Sequence, residues 1–214
     1  MPTLDSIRFD TADLQLQRDT PSERNWSTQA GEPVGLYLFV RPPDLPVALH
    51  DLQGLTTGFR DIARRAQRGL VEVEVVTADS CPGVRVIIKG VVDPKTGCGR
   101  FYTGSLILPF RDCSFVIKAQ LEEIGSTGVR ETVVTDHLLA SGALRDLRSN
   151  EGWLVDAHDP TPPHLARNVS EDARYDVEFP QHPLSRVRAF LDRVILSLEI
   201  APDVKTLAPF KCTL

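Results

Sequence analysis

The chain has 214 residues, of which 42% are hydrophobic and 25% charged, and its formal net charge is −5. Those proportions exclude a disordered or collagen-like chain, and no apolar run approaches the roughly 20 residues that a membrane-spanning helix needs. The acidic balance leaves no basic stripe for nucleic acid or an anionic membrane surface; the longest basic cluster, Arg64, Arg65 and Arg68, reads as a solvated helix face.

The N-terminal decapeptide MPTLDSIRFD carries two acids and no apolar core of a signal peptide, so a cytoplasmic location is expected. The four cysteines, Cys81, Cys98, Cys113 and Cys212, show no CxxC spacing and no histidines at finger-like intervals. Four reduced thiols are expected in that compartment.

In chain order, residues 1–34 form a polar N-terminal arm or edge hairpin. Ile7 and Phe9, then Leu14 and Leu16, alternate with polar neighbours, and Arg18 to Gly31 reads as a loop anchored by Trp26. Gly35 to Val40 is a short apolar run and a buried strand, stopped by Pro42 and Pro43. Asp44 before Leu45 and Pro46 predicts a short helix to Leu52. A second helix over Thr57 to Gln67 places Phe59, Ile62, Ala63 and Ala66 on one stripe, with Gly69 as its C-terminal cap.

Four strands follow: Leu70 to Thr77, Val84 to Val92, Phe101 to Pro109 and Cys113 to Glu122. Their separators are turn-length and rich in Gly, Pro and Asp, so an antiparallel meander is expected. Pairing Thr77 with Val84, Val84 with Pro109 and Ile107 with Phe115 gives one nearly all-apolar face: Val71, Val73, Val75, Val86, Ile88, Ile107, Phe115 and Ile117. The other face mixes Ile87, Leu106, Leu108 and Val116 with charged residues. A sheet apolar on one side and partly apolar on the other calls for helices on both. The predicted fold class is therefore α+β, a central antiparallel β-meander with helices on both faces in three layers.

Beyond the sheet, a turn at Gly125 and a cap at Ser126 or Thr127 lead into a helix to about Ala140. Residues 141–182 form a long irregular loop, and 183–200 a C-terminal helix with Leu184, Val187, Leu191, Val194 and Leu198 on its sheet-facing side. The connections are too short to separate domains, so residues 1–214 read as a single domain.

The helix ending at Gly69, the meander from Leu70 to Glu122, the phrase FVIKAQLEEIGSTGVRE leading into a helix, and the long C-terminal helix together resemble the PsbP-like fold group. That group includes an extrinsic protein of photosystem II, a eukaryotic Ran-binding import factor and assorted bacterial proteins. The resemblance spans roughly residues 35–200 and implies a non-catalytic protein that binds other proteins. No residue role is carried over from it.

Three sets of residues are candidates for chemistry. Asp156, His158, Asp159 and His164, in the loop VDAHDPTPPH, are ligand types for a divalent metal, although a proline-rich polar surface loop carries such residues by default. The predicted register sets Lys89 and Lys118 around Gly104, with Glu72 and Gln120 nearby, as a notch for an anion, against the plainer reading of cross-strand charge pairing. Trp153, Tyr175 and Phe179 would suit a protein partner if exposed, and would tack the long loop to the core if packed. There is no GxSxG, HExxH, Walker A or strand-linked GxGxxG, no catalytic residue is assigned and no cofactor is expected. The expected function is a non-catalytic cytoplasmic accessory factor that binds a protein, of immunity or secretion-system type in a bacterium. The alternative is a metal-dependent hydrolase using the Asp156–His164 loop. Arginine outnumbering lysine suggests the bacterial source.

Overall fold

Short alternating segments near the N-terminus build one edge of the sheet, with Trp26 of the second edge strand turned inward and the outermost strand exposed along its length. In a computed structural model, which describes residues 2–145 and 151–212, strand β1 (Ile7–Arg8) is followed by β2 (Gln15–Asp19), β3 (Glu23–Ser27) and β4 (Pro33–Phe39). After helix α1 (Leu52–Arg65) come β5 (Gly69–Ala78), β6 (Cys81–Asp93), β7 (Cys98–Pro109) and β8 (Ser114–Glu122). The chain closes with α2 (Val129–Ala140), α3 (Pro183–Ser197), β9 (Glu199–Ile200) and α4 (Pro202–Lys205). Strands β2 to β8 form one seven-stranded sheet in the order β2-β3-β4-β8-β7-β6-β5, every neighbouring pair antiparallel, while β1 pairs with β9.

Helices lie on both faces. Leu184, Val187, Leu191 and Val194 of α3 join Tyr102, Leu106, Leu108, Phe115 and Ile117 in the larger core. On the opposite face Phe59 of α1 and the 45–49 segment cover Leu70, Val84 and Val86, with Val73, Ile88 and Ile107 alongside. The three-layer α+β architecture read from the alternation is the one observed.

The register differs from the predicted one in an instructive way. The β5–β6 turn is only Asp79-Ser80, both in the left-handed region (φ 45° and 68°), as a two-residue hairpin with primed-type geometry demands. Val75 therefore faces Val84 rather than Val86, a two-residue shift that keeps Val73 and Val86 on their predicted face, whereas an irregularity between Leu70 and Glu72 turns Val71 from that face into the α3-side core. The β7–β8 turn leaves Pro109 opposite Ser114 and Ile107 opposite Val116. Compared with the predicted Ile107–Phe115 pair this is a slip of one residue, so Phe115 and Ile117 move to the α3 side and Lys118 to the α1 side.

Local differences have equally concrete causes. Arg18 to Gly31 is not a loop but contains β3, whose Trp26 is buried with its ring edge-on to Phe9 at 5.6 Å. The Asp44-Leu45-Pro46 signal starts no helix. The effective N-cap is Asp51, whose Oδ1 accepts the Gly54 N–H at 2.8 Å. Helix α1 ends before Gln67, which takes the left-handed turn, so Gly69 is not a cap. Gly69 instead opens β5 where a Cβ would stand 1.7 Å from the Leu165 carbonyl oxygen. Gly128, not Ser126 or Thr127, stands at the N-cap of α2.

Gly104 sits directly beneath α3: an added Cβ would meet Val187 Cγ1 at 2.5 Å and Leu191 Cδ1 at 2.8 Å. Gly104→Ala is expected to cost about 1–3 kcal/mol in urea denaturation through overpacking. Pairing it with Val187→Ala should recover part of that loss. An unchanged midpoint for the single variant would show that α3 does not ride on this glycine.

Candidate functional site

Glu123, just beyond β8, organises the loop that follows it. Its Oε2 accepts the Arg100 N–H at 2.8 Å and its Oε1 the Gly128 N–H at 3.0 Å, which holds the left-handed turns at Gly125 and Gly128 against the end of the sheet. The next residues place Glu131 in the first turn of α2, where a carboxylate complements the positive end of the helix dipole. From the other side comes His182, the N-cap of α3, whose Nδ1 accepts the Leu184 N–H at 3.2 Å.

Glu123, Glu131 and His182 thus bring one ligand atom each to within 4.8 Å of one another, the only such gathering of three metal-binding side chains among the described residues. His182 Nε2 lies 3.7 Å from Glu123 Oε1, and the two side chains are only 9% and 5% exposed. The Tyr102 and His182 rings pack in a T-shaped arrangement with centroids 5.4 Å apart. His182 Nε2 and Glu131 Oε2 are buried and have no hydrogen-bond partner. Burial pushes the Glu123 carboxyl up, but the adjacent imidazole and the Gly128 and Arg100 N–H groups outweigh it and hold it below the ordinary carboxylate value. Burial, followed by the charges of Glu171, Glu131 and Glu123, raises the Tyr102 hydroxyl well above its usual range, so it stays a donor.

The cluster opens into a cleft of about 610 Å³ whose rim includes Ile124, Val129, Phe179 and Pro180. Ile124 is 78% exposed and Val129 50%. Two arginines also line the cleft, and both are engaged: Arg186 with Glu32, and Arg130 with Asp176 and Ser185 at 2.8 Å each.

Behind the cleft lies a buried polar bed that holds the segment 165–176 against the sheet. Lys89, pointing from β6 into the α3 side, donates to Glu171 Oε2 at 2.7 Å and to the Ala166 carbonyl at 2.8 Å. Glu171 also accepts from the Tyr102 hydroxyl at 3.2 Å and the Asn168 N–H at 3.0 Å. Arg188 of α3 joins Glu72, Asp176 and the Glu171 carbonyl.

These positions correct two of the three sets read from the sequence. Asp156 and Asp159 ion-pair with Arg60 of α1 at 3.3 and 3.2 Å, and His158 and His164 are exposed, so the four do not converge as metal ligands. The notch fails because Lys89 pairs with Tyr102 in register whereas Lys118 pairs with Ser105, which sets the two lysines on opposite faces. Gly104 is filled over by α3, Glu72 is bound to Arg85 and Arg188, and Gln120 lies on the Lys118 face beside Thr103. Of the third set, Phe179 reaches the cleft. Trp153 is half-buried and its carbonyl accepts the Val169 N–H at 2.9 Å; Tyr175 is half-buried beneath the Arg174 guanidinium. The irregular region 141–182 is in part core where it is described: Leu165, Ala166, Asn168, Ser170 and Glu171 are buried. Residues 146–150 of it lie outside the described residues. All four cysteines are free, with Cys81 and Cys113 buried.

Glu123, Glu131 and His182 went unnoticed in the sequence because Glu123 and His182 lie far apart along the chain. The one local trace is the His-Pro pair at the start of α3, where an imidazole acceptor can cap the helix.

No family model matches the chain, and no curated protein does. Among solved structures it is similar to a protein from Bacteroides thetaiotaomicron VPI-5482, at TM-score 0.35 and 8% identity, over 56% of this chain and 39% of that one. It is similar also to the cyanobacterial PsbP protein CyanoP of Synechocystis sp. PCC 6803, at TM-score 0.34 and 12% identity, over 63% of this chain and 88% of that one. The chain thus spans about two fifths of the Bacteroides protein. No helix among the described residues is long and apolar enough to cross a membrane.

Proposed function

We propose that this chain is a non-catalytic cytoplasmic accessory factor that binds another protein through the cleft between the 123–131 turn and the 178–183 segment. The observation that carries this reading is the rim: Ile124 and Val129 stand exposed on a turn held from beneath by Glu123, beside Phe179 and Pro180. Apolar side chains held out on an ordered support lose little freedom on binding, which favours them as contact anchors. The net charge of −5 and the missing basic stripe support a protein rather than a nucleic acid as partner. Membership of the PsbP-like group, and a bacterial role of immunity or secretion type, belong to the same proposal and rest on the order of elements and the arginine-rich composition.

The test compares partner retention from lysate of the source cells. The unaltered chain should retain a stoichiometric partner, and Ile124→Asp/Val129→Asp should lose it by tenfold or more. Leu196→Asp, at a still more exposed site on α3 (86%), should not. Retention unaffected by the double substitution, or lost equally with Leu196→Asp, would refute the cleft as the docking surface.

A further inference from the structure

We infer that Glu123, Glu131 and His182 form a binding site for one divalent transition-metal ion of the Zn2+ or Mn2+ class. The inference shares the cleft with the docking surface but does not rest on it.

Two carboxylates and an imidazole are a donor set that such ions accept. Ligand atoms about 2.0–2.2 Å from a tetrahedral ion stand about 3.4 Å from one another. His182 Nε2 and Glu123 Oε1 are already 3.7 Å apart, and all three donors lie within 4.8 Å, so rotation of the Glu131 side chain completes the set. Two buried polar atoms of the site lack a hydrogen-bond partner. His182, a side chain nine-tenths buried, aims an unpartnered Nε2 into it, and Glu131 Oε2 is buried there without a partner too. Two carboxylates this close also repel one another. The arginines lining the same cleft cannot relieve them, because Arg186 is held by Glu32 and Arg130 by Asp176, Ser185 and the Ser170 and Asp172 carbonyls.

The N-cap sets a cost. With Nδ1 accepting the Leu184 N–H, the neutral ring carries its hydrogen on Nε2, the atom that must ligate. Coordination therefore moves that hydrogen to Nδ1 and releases the cap of α3. A lost cap of ordinary strength weakens binding roughly tenfold, which three ligands in a buried site outweigh. Metal binding and the α3 N-terminus are thereby coupled, and the Leu184 amide reports on it.

The experiment titrates Mn2+ and Zn2+ into the EDTA-treated full chain carrying Cys98→Ser, to remove the exposed thiol, and follows heat and the Leu184 amide resonance. One equivalent is expected to bind at micromolar concentration or tighter, with a shift of that resonance. Glu131→Gln removes a ligand charge whose Oε2 makes no hydrogen bond and should weaken binding at least tenfold. His182→Asn keeps an oxygen acceptor to cap α3, guarding against a folding defect, and should weaken it tenfold or more. His158→Ala/His164→Ala should leave the affinity unchanged, which separates this site from the surface loop. Absence of saturable binding below about 1 mM, or equal affinity in Glu131→Gln and the parent, overturns the inference.

Discussion

Lys89→Met is expected to destabilise the protein by about 3–5 kcal/mol, the range for leaving one member of a buried ion pair behind. Lys89 is 2% exposed and Glu171 fully buried, and their 2.7 Å contact is shielded by the 165–171 segment. Without the ammonium, Glu171 keeps the Tyr102 hydroxyl and the Asn168 N–H but has no cation, and the Ala166 carbonyl loses its donor. A loss of that size should lower the melting temperature of a chain of this length by about 6–20 °C. The second arm is Lys89→Met/Glu171→Gln. Removing both charges leaves a neutral amide that still accepts from Tyr102, so the double variant should recover at least half of the loss. If the double variant were no more stable than the single one, the cost would lie in packing rather than in charge.

The same pair marks how far local sequence patterns reach. The four meander strands, α2, α3 and the covering of both sheet faces followed from apolar spacing, which depends on neighbours a few residues apart. The last hairpin did not, because its register hangs on the length of the Phe110–Cys113 connection, and a single residue there carries Lys118 across the sheet. Lys89 lies in VIIKGVV, apolar on both sides in a central strand, a pattern that demands a buried acid. The pattern does not say which acid, and Glu171 lies 82 residues on in a segment without periodicity. That segment reads only as an irregular loop because its ordering comes from Lys89, Arg130 and Arg188 rather than from apolar residues at regular intervals. The Glu123–Glu131–His182 cluster was hidden for the same reason: two helix N-termini and a strand end meet there only after the sheet has formed.

Arg130→Lys is expected to loosen that segment without unfolding the sheet. The guanidinium is 1% exposed and uses three nitrogens in four directions: Nε to the Ser170 carbonyl at 2.6 Å, Nη2 to the Asp172 carbonyl at 2.9 Å, and Nη1 to Asp176 and Ser185 at 2.8 Å each. A lysine keeps the charge but concentrates its three donors at one atom, so it cannot span carbonyls on both sides of the 170–172 turn. Asp176 retains Arg188 and remains paired, whereas at least one buried carbonyl is left bare at about 1–3 kcal/mol. The loss falls on local opening. Amide exchange over Ser170–Asp176 should therefore accelerate by roughly tenfold or more, while the amides of β6 and β7, held by the sheet ladder, change several-fold less. Uniform acceleration across the sheet would mean that Arg130 supports the whole fold. No acceleration in 170–176 would mean that Arg188 and Lys89 hold the segment without it.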